Sequence, residues 1–90
     1  MSELDSKKLL EFPCSFPIKM MGRADDGFSD LAVRLIEQYV GNVAPNAVQT
    51  SASRNGNFLS VTVTIDAQSQ KQLDNIYNEL SNHEDILVAL

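Results

Sequence analysis

The 90-residue sequence predicts an α+β domain, one antiparallel sheet of four strands with two helices on one of its faces. Three observations carry that expectation. Phe58 to Asp66 alternates strictly, with Leu59, Val61, Val63 and Ile65 on one side and Ser60, Thr62 and Thr64 on the other. Period-two alternation in β-branched residues marks a strand buried on one face and wetter on the other. Two stretches, around residues 28–39 and 73–80, repeat their apolar residues at helical spacing instead. Strand and helix signals then alternate in the order β-α-β-β-α-β.

The opening residues 1–11 are mostly polar and read as a flexible N-terminal segment, with a single domain over 12–90. Leu9, Leu10 and Phe12 interrupt the polar pattern and are expected to pack onto the body. Residues 15–21 read as the first strand, with Phe16, Ile18 and Met20 inward, Lys19 and Met21 outward, and Gly22 ending it. Asp25 and Asp26 precede an apolar-periodic stretch, an N-cap signal for a helix whose positive end suits carboxylates. Phe28, Leu31, Ala32, Leu35, Ile36 and Tyr39 form its buried face, and Gly41 and Pro45 close it.

Residues 47–53 read as the second strand, with Val48, Thr50 and Ala52 inward. A two-residue turn at Asn55-Gly56 then places Ala52 opposite Leu59, Thr50 opposite Val61 and Val48 opposite Val63, so inward residues meet inward residues. Gln49, Ser51 and Ser53 suit a solvated sheet edge. Ser69 and Gln72 form a capping box for the second helix, whose stripe is Leu73, Ile76, Tyr77 and Leu80. Ile86 to Leu90 is the last strand, apolar at each position, which is more than a free edge normally carries. This order defines a ferredoxin-like βαββαβ sandwich. Right-handed crossovers place the first and third strands centrally and the second and fourth at the edges.

Composition bounds the function. The chain is 43% hydrophobic and 21% charged, ordinary for a globular protein. A domain of this size buries roughly 60–65% of its unfolded surface, so ligands belong in a shallow cleft, at an edge or between subunits. Net charge is −5, with +1 over residues 1–24 and −6 over 25–90. An acidic body argues against nucleic-acid backbones and anionic membranes as partners. One cysteine excludes an internal disulfide and suits the cytoplasm. The acidic start is unlike a signal peptide, and no apolar run is long enough to span a membrane.

Several stretches resemble the YbeD-like family of small bacterial proteins: Leu9-Leu10-Glu11-Phe12-Pro13, Lys19-Met20-Met21-Gly22-Arg23-Ala24, Gly56-Asn57-Phe58-Leu59-Ser60-Val61-Thr62-Val63-Thr64-Ile65 and Ile76-Tyr77-Asn78-Glu79-Leu80. The resemblance spans nearly the whole chain. It implies the ferredoxin-like fold, similarity to ACT-type amino-acid-sensing regulatory domains, and a connection with lipoate metabolism, and it implies no particular activity.

The candidate sites follow. No catalytic residue, metal ligand set or cofactor is expected. Cys14 and His83 are the single cysteine and histidine, and a thiolate–imidazole pair requires that the neighbouring first and last strands bring them into contact with a third, orienting group. RNA-recognition domains of the same topology need aromatic rings on the open sheet face, where Ser60, Thr62, Thr64, Lys19 and Met21 are expected instead. An acylphosphatase-like phosphate loop is contradicted by Asp25 and Asp26 after the first strand. In ACT-type domains a glycine in the turn from first strand to first helix lets a ligand or subunit approach. Gly22, Asp25, Asp26 and Gly27 are therefore the candidate ligand site, although Asp26 stands where those domains usually have proline. The open face, with Lys19, Met21, Ser60, Thr62, Thr64, Leu87 and Ala89, is the candidate surface for a protein partner or for a second copy in a homodimer. The functional expectation is a cytoplasmic regulatory or adaptor domain that binds a protein or a small molecule rather than catalysing a reaction. The alternative is an accessory protein of lipoate metabolism.

Overall fold

The structure, a computed structural model, describes residues 10–90. Strand β1 spans Cys14–Arg23, helix α1 Phe28–Val40, strand β2 Val48–Ala52, strand β3 Phe58–Ala67, helix α2 Gln70–Asn82 and strand β4 Val88–Ala89. The sheet order is β2-β3-β1-β4, all antiparallel, with β1 and β3 central as the crossover rule requires. The β1–β3 ladder is the spine: ten residue pairs, from Cys14 opposite Ala67 to Arg23 opposite Phe58.

The core lies between one sheet face and the two helices. Ile18 and Met20 of β1 and Val61, Val63, Ile65 and Ala67 of β3 meet Phe28, Ala32, Leu35 and Ile36 of α1 and Leu73, Ile76 and Leu80 of α2. Each helix buries the stripe its sequence period defines, since residues three and four apart share a helical face. Leu10 and Phe12 pack against the same core. Leu9 lies outside the described residues.

Local signals set several element ends. At α2 the Ser69 hydroxyl accepts from the Gln72 amide at 3.1 Å. Gln72 reaches back to the amide of Gln68 rather than that of Ser69, at 2.8 Å, so the capping box closes one residue further out. The β2–β3 register is the one its inward pattern demands, Val48–Val63, Thr50–Val61 and Ala52–Leu59.

Four expectations need correction. The hairpin turn is a four-residue loop between Ser53 and Phe58, closed by the Gly56 amide on the Ser53 carbonyl at 2.9 Å. Gly56 supplies positive φ (79°) at its end. The registers coincide because both turns leave Ser53 opposite Phe58. A 3-10 turn at Pro45–Ala47 delays β2 until Val48, because the proline starts a turn rather than a ladder. Thr50 and Ala52 share the face of Val61 yet remain exposed, because the helices do not reach over this edge.

The fourth correction concerns β4. The Ile86 amide bonds back to the His83 carbonyl, so Ile86 enters the core from a turn and the ladder begins only at Leu87, whose amide meets the Met21 carbonyl at 2.8 Å. The turn breaks the alternation expected over Ile86–Leu90. Val88 stands beside Met21 on the open face, and Ala89 beside Met20 on the helix face.

Candidate functional site

The chain leaves β1 at Arg23 and re-enters order at α1 through a tight turn. The Asp25 amide bonds the Arg23 carbonyl at 2.7 Å, and the Phe28 amide bonds the Asp25 carbonyl at 3.1 Å. The N-cap is Gly27, at φ 116°, and no side chain caps the helix. This corrects the expectation of an aspartate cap. The turn needs a left-handed residue at that position, which glycine adopts without strain. Asp25 thus serves the turn with its backbone carbonyl, which leaves the carboxylates of this segment at the surface.

Gly22 has a different task. It is buried, and a β-carbon there would collide with the Phe28 ring and lie 2.7 Å from the Asp85 carbonyl oxygen. It is a spacer that lets the α1 start and the α2–β4 loop close over β1. A β-carbon on Gly27 would meet open space.

Between that turn and that loop lies a cleft of about 410 Å³. Asp25, Asp26 and Gly27 line it, joined by Arg23, by Glu84 and Asp85 from the loop before β4, and by an apolar wall of Phe28, Leu31 and Leu87. Four carboxylates and one guanidinium give it a formal charge of −3. Sequence reasoning missed Glu84, Asp85 and Leu87, because nothing local says that the loop before the last strand returns to the end of the first. Leu87, expected on the open face, sits at the rim of this cleft instead.

On the open sheet face the structure places Lys19 beside Thr62, Met21 beside Ser60, and Thr64 beside Pro17. Ala89 is on the other side, with Met20. Two apolar residues take the places expected of Leu87 and Ala89: Val88, 41% exposed, and Leu90, 67% exposed, which exchanges two backbone hydrogen bonds with Lys19. Phe58, 37% exposed, also reaches this face and supplies the single aromatic ring found on β1 and β3 there. One ring is not the multi-base stacking platform of an RNA-recognition sheet.

Cys14 and His83 are not brought together. β1 and β4 are neighbours but antiparallel, and Asp85 lies against Gly22 near the end of β1. Cys14 opens the same strand eight residues earlier, about 26 Å away at strand rise. His83 Nδ1 accepts the Asp85 amide at 3.1 Å and shapes its own loop. Among the described residues no group of three or more His, Cys, Asp or Glu is placed to hold a metal ion. No helix among them is long and apolar enough to cross a membrane.

Two tyrosines have perturbed titration. Tyr39 donates to Glu79 Oε1 at 3.1 Å, and this bond to a carboxylate raises its pKa above the ordinary tyrosine value. Tyr77 donates to the Leu90 carbonyl at 2.7 Å and is raised by burial.

Fold and cleft together define a small ferredoxin-like α+β domain with a ligand-sized acidic cleft at one end of its sheet. The chain belongs to the family described as "Protein of unknown function (DUF493)", whose model matches residues 7–90. A UPF0250 protein of Paraburkholderia phytofirmans is 40% identical over 85 residues, covering 94% of this chain and 96% of the relative. A UPF0250 protein of Nitrosomonas europaea is 36% identical over 87 residues, covering 97% and 100%. The solution structure of protein HP0495 from H. pylori superimposes with a TM-score of 0.65 at 16% identity, covering 90% of this chain and 85% of that one, a likeness of fold.

Proposed function

We propose that this protein is a regulatory or adaptor domain of ACT-like type that works by binding a small ligand in the cleft between the β1–α1 turn and the α2–β4 loop, not by catalysis. The observation that carries the reading is the composition of that cleft. Its 410 Å³ is the size of a small-molecule site, and one wall is apolar while the rim is acidic with a single arginine. Such a surface favours a ligand with an ammonium group and a compact apolar body. An α-amino acid fits both charges, its ammonium on the carboxylates and its carboxylate on Arg23. A free fatty or lipoic carboxylate meets mostly like charge.

A thermal-shift screen of amino acids, simple amines, octanoate and lipoate tests this. A ligand bound only by the folded form at a hundred times its Kd adds about 2.7 kcal/mol, which raises Tm by at least about 10 °C in a domain this small. Apolar amino acids or amines are expected to give the shift, and Asp26→Asn with Asp85→Asn to abolish it. A shift from octanoate or lipoate alone favours the lipoate-linked alternative. No shift from any of them, or one unchanged in the double variant, removes the cleft from consideration.

A further inference from the structure

We infer that His83 is the positioning residue of the acidic cleft: its neutral imidazole holds the turn that carries Glu84 and Asp85, and protonation of the ring releases that wall. This rests on the cleft being the ligand site proposed above, and it makes that site weaken in acid.

Glu84 and Asp85 stand between two fixed points. On one side the His83 amide bonds the Leu80 carbonyl at 3.2 Å, where α2 ends. On the other, Ile86 is buried and the Leu87 amide bonds the Met21 carbonyl at 2.8 Å. His83 closes the turn between them twice. Its carbonyl accepts the Ile86 amide at 3.1 Å, and its Nδ1 accepts the Asp85 amide at 3.1 Å. The second bond is the one that holds a residue of the cleft. A backbone amide can only donate, so Nδ1 must offer a lone pair and the ring proton must sit on Nε2. The bond therefore belongs to the neutral ring alone. An imidazolium carries a hydrogen on both nitrogens and has nothing left to accept with.

The charged ring has a second place to rest. His83 is half-buried and borders a groove that Glu79 lines from α2 and Tyr39 from α1. Tyr39, its pKa raised, keeps its proton and donates it to Glu79 Oε1. The other residues of the groove are Asn75, Asn78 and Asn82, so Glu79 is the one carboxylate that faces His83 there. His83 also follows the C-terminal end of α2, whose partial negative charge favours a cation. Glu84 and Asp85 are its ionisable neighbours on the loop itself. Glu79, the helix end and these two carboxylates all favour the imidazolium, and none of them supplies a new acceptor to the Asp85 amide. The ring thus has two arrangements, neutral on that amide or charged toward Glu79 and the helix end, and proton concentration biases the choice. Imidazole is the side chain whose ordinary titration falls between pH 5 and 8. Loss of one bond at the surface is expected to weaken a ligand held by this wall about threefold.

Nitrogen-15 spectra of the His83 ring, together with titrations of n-butylamine at pH 5.5 and pH 7.5, test this. Butylamine keeps its ammonium charge at both values, as a lysine side chain does. At pH 7.5 the ring is expected as the Nε2–H tautomer. Wild type is expected to bind butylamine about threefold more weakly at pH 5.5 than at pH 7.5. His83→Asn keeps an acceptor within reach of the amide two residues on and cannot titrate, so its affinity should equal that of wild type at pH 7.5 and stay level at pH 5.5. His83→Leu lacks any acceptor and should bind weakly at both. An Nδ1–H tautomer at pH 7.5 overturns the inference. So does a wild-type affinity that is level with pH, or a fall in acid that His83→Asn shares; in those cases the amine still binds and the cleft stands as a ligand site without this regulation. Butylamine that binds at neither pH removes the site itself, and the inference with it.

Discussion

The two edges of this sheet are built on opposite plans. β2 pairs with β3 along all five of its residues and is joined to it by a four-residue loop. It places one half-buried residue, Val48, against the core and exposes the rest. β4 pairs with β1 over two residues but is tied down from several directions. Ile86 is buried, the Asp85 carbonyl sits over Gly22, and Tyr77 donates to the Leu90 carbonyl. One edge is held by a local ladder and blunted by polar residues. The other is held by distant anchors and left apolar. An edge strand can thus be stable without being long, provided side chains next to it reach the core.

The largest effect is expected where the β4 side closes over β1. Gly22→Val forces a branched side chain into the Phe28 ring and the Asp85 carbonyl. Overpacking of this kind costs about 3 kcal/mol, a fall in Tm of about 12 °C or more for a domain of this size. A Tm within a few degrees of wild type shows that the loop before β4 is held elsewhere.

The next test sets anchor against ladder. Ile86→Ala removes a buried side chain, at about 2–4 kcal/mol. Val48→Ala on β2, only half-buried, is expected to cost about 1 kcal/mol. Urea unfolding of both variants measures the difference, and equal midpoints erase the distinction between the two edges.

Tyr77→Phe is a smaller probe. Losing its bond to Leu90 is expected to cost about 1 kcal/mol at neutral pH. Because burial raises the tyrosine pKa in the folded state, the folded form holds its proton more tightly than the unfolded chain. The associated stability is complete below about pH 10 and declines as pH rises through the folded pKa. Alkaline melts of Tyr77→Phe should fall less steeply than wild type. Tyr39, also raised through Glu79, keeps part of the slope. A melt profile parallel to wild type above pH 10 removes Tyr77 as a source.

The smallest effect is expected at Thr50→Lys, within about 0.5 kcal/mol, since its side chain is exposed on an edge that no helix covers. A marked loss of stability there, seen in the same urea series, contradicts the description of β2 as a solvated edge.

Much of this architecture was legible because its signals are periodic and local. The alternation from Leu59 to Ile65, the Phe28–Tyr39 and Leu73–Leu80 stripes and the Ser69 cap each involve residues within one element. The β2–β3 register was legible for a similar reason, since matched inward residues admit one pairing. What escaped was decided by packing between distant segments. Gly27 replaced Asp as the cap of α1 because the turn after β1 demanded a left-handed residue. The turn at His83–Ile86 shifted the parity of β4 and moved Leu87 and Ala89 off the open face. Three cleft residues, Glu84, Asp85 and Leu87, come from a loop some sixty residues away from Asp25 along the chain.

The sequence by itself determined the order of elements, the faces of both helices and of the central strands, and the acidic balance. These follow from side-chain period, turn chemistry and charge, which neighbours in the chain supply. The tertiary structure alone decided which loop completes the cleft, which side of β4 each residue takes and how far the helices cover each edge. Those depend on where the chain returns in space, and no local pattern encodes a distance between segments that meet only when the core has closed.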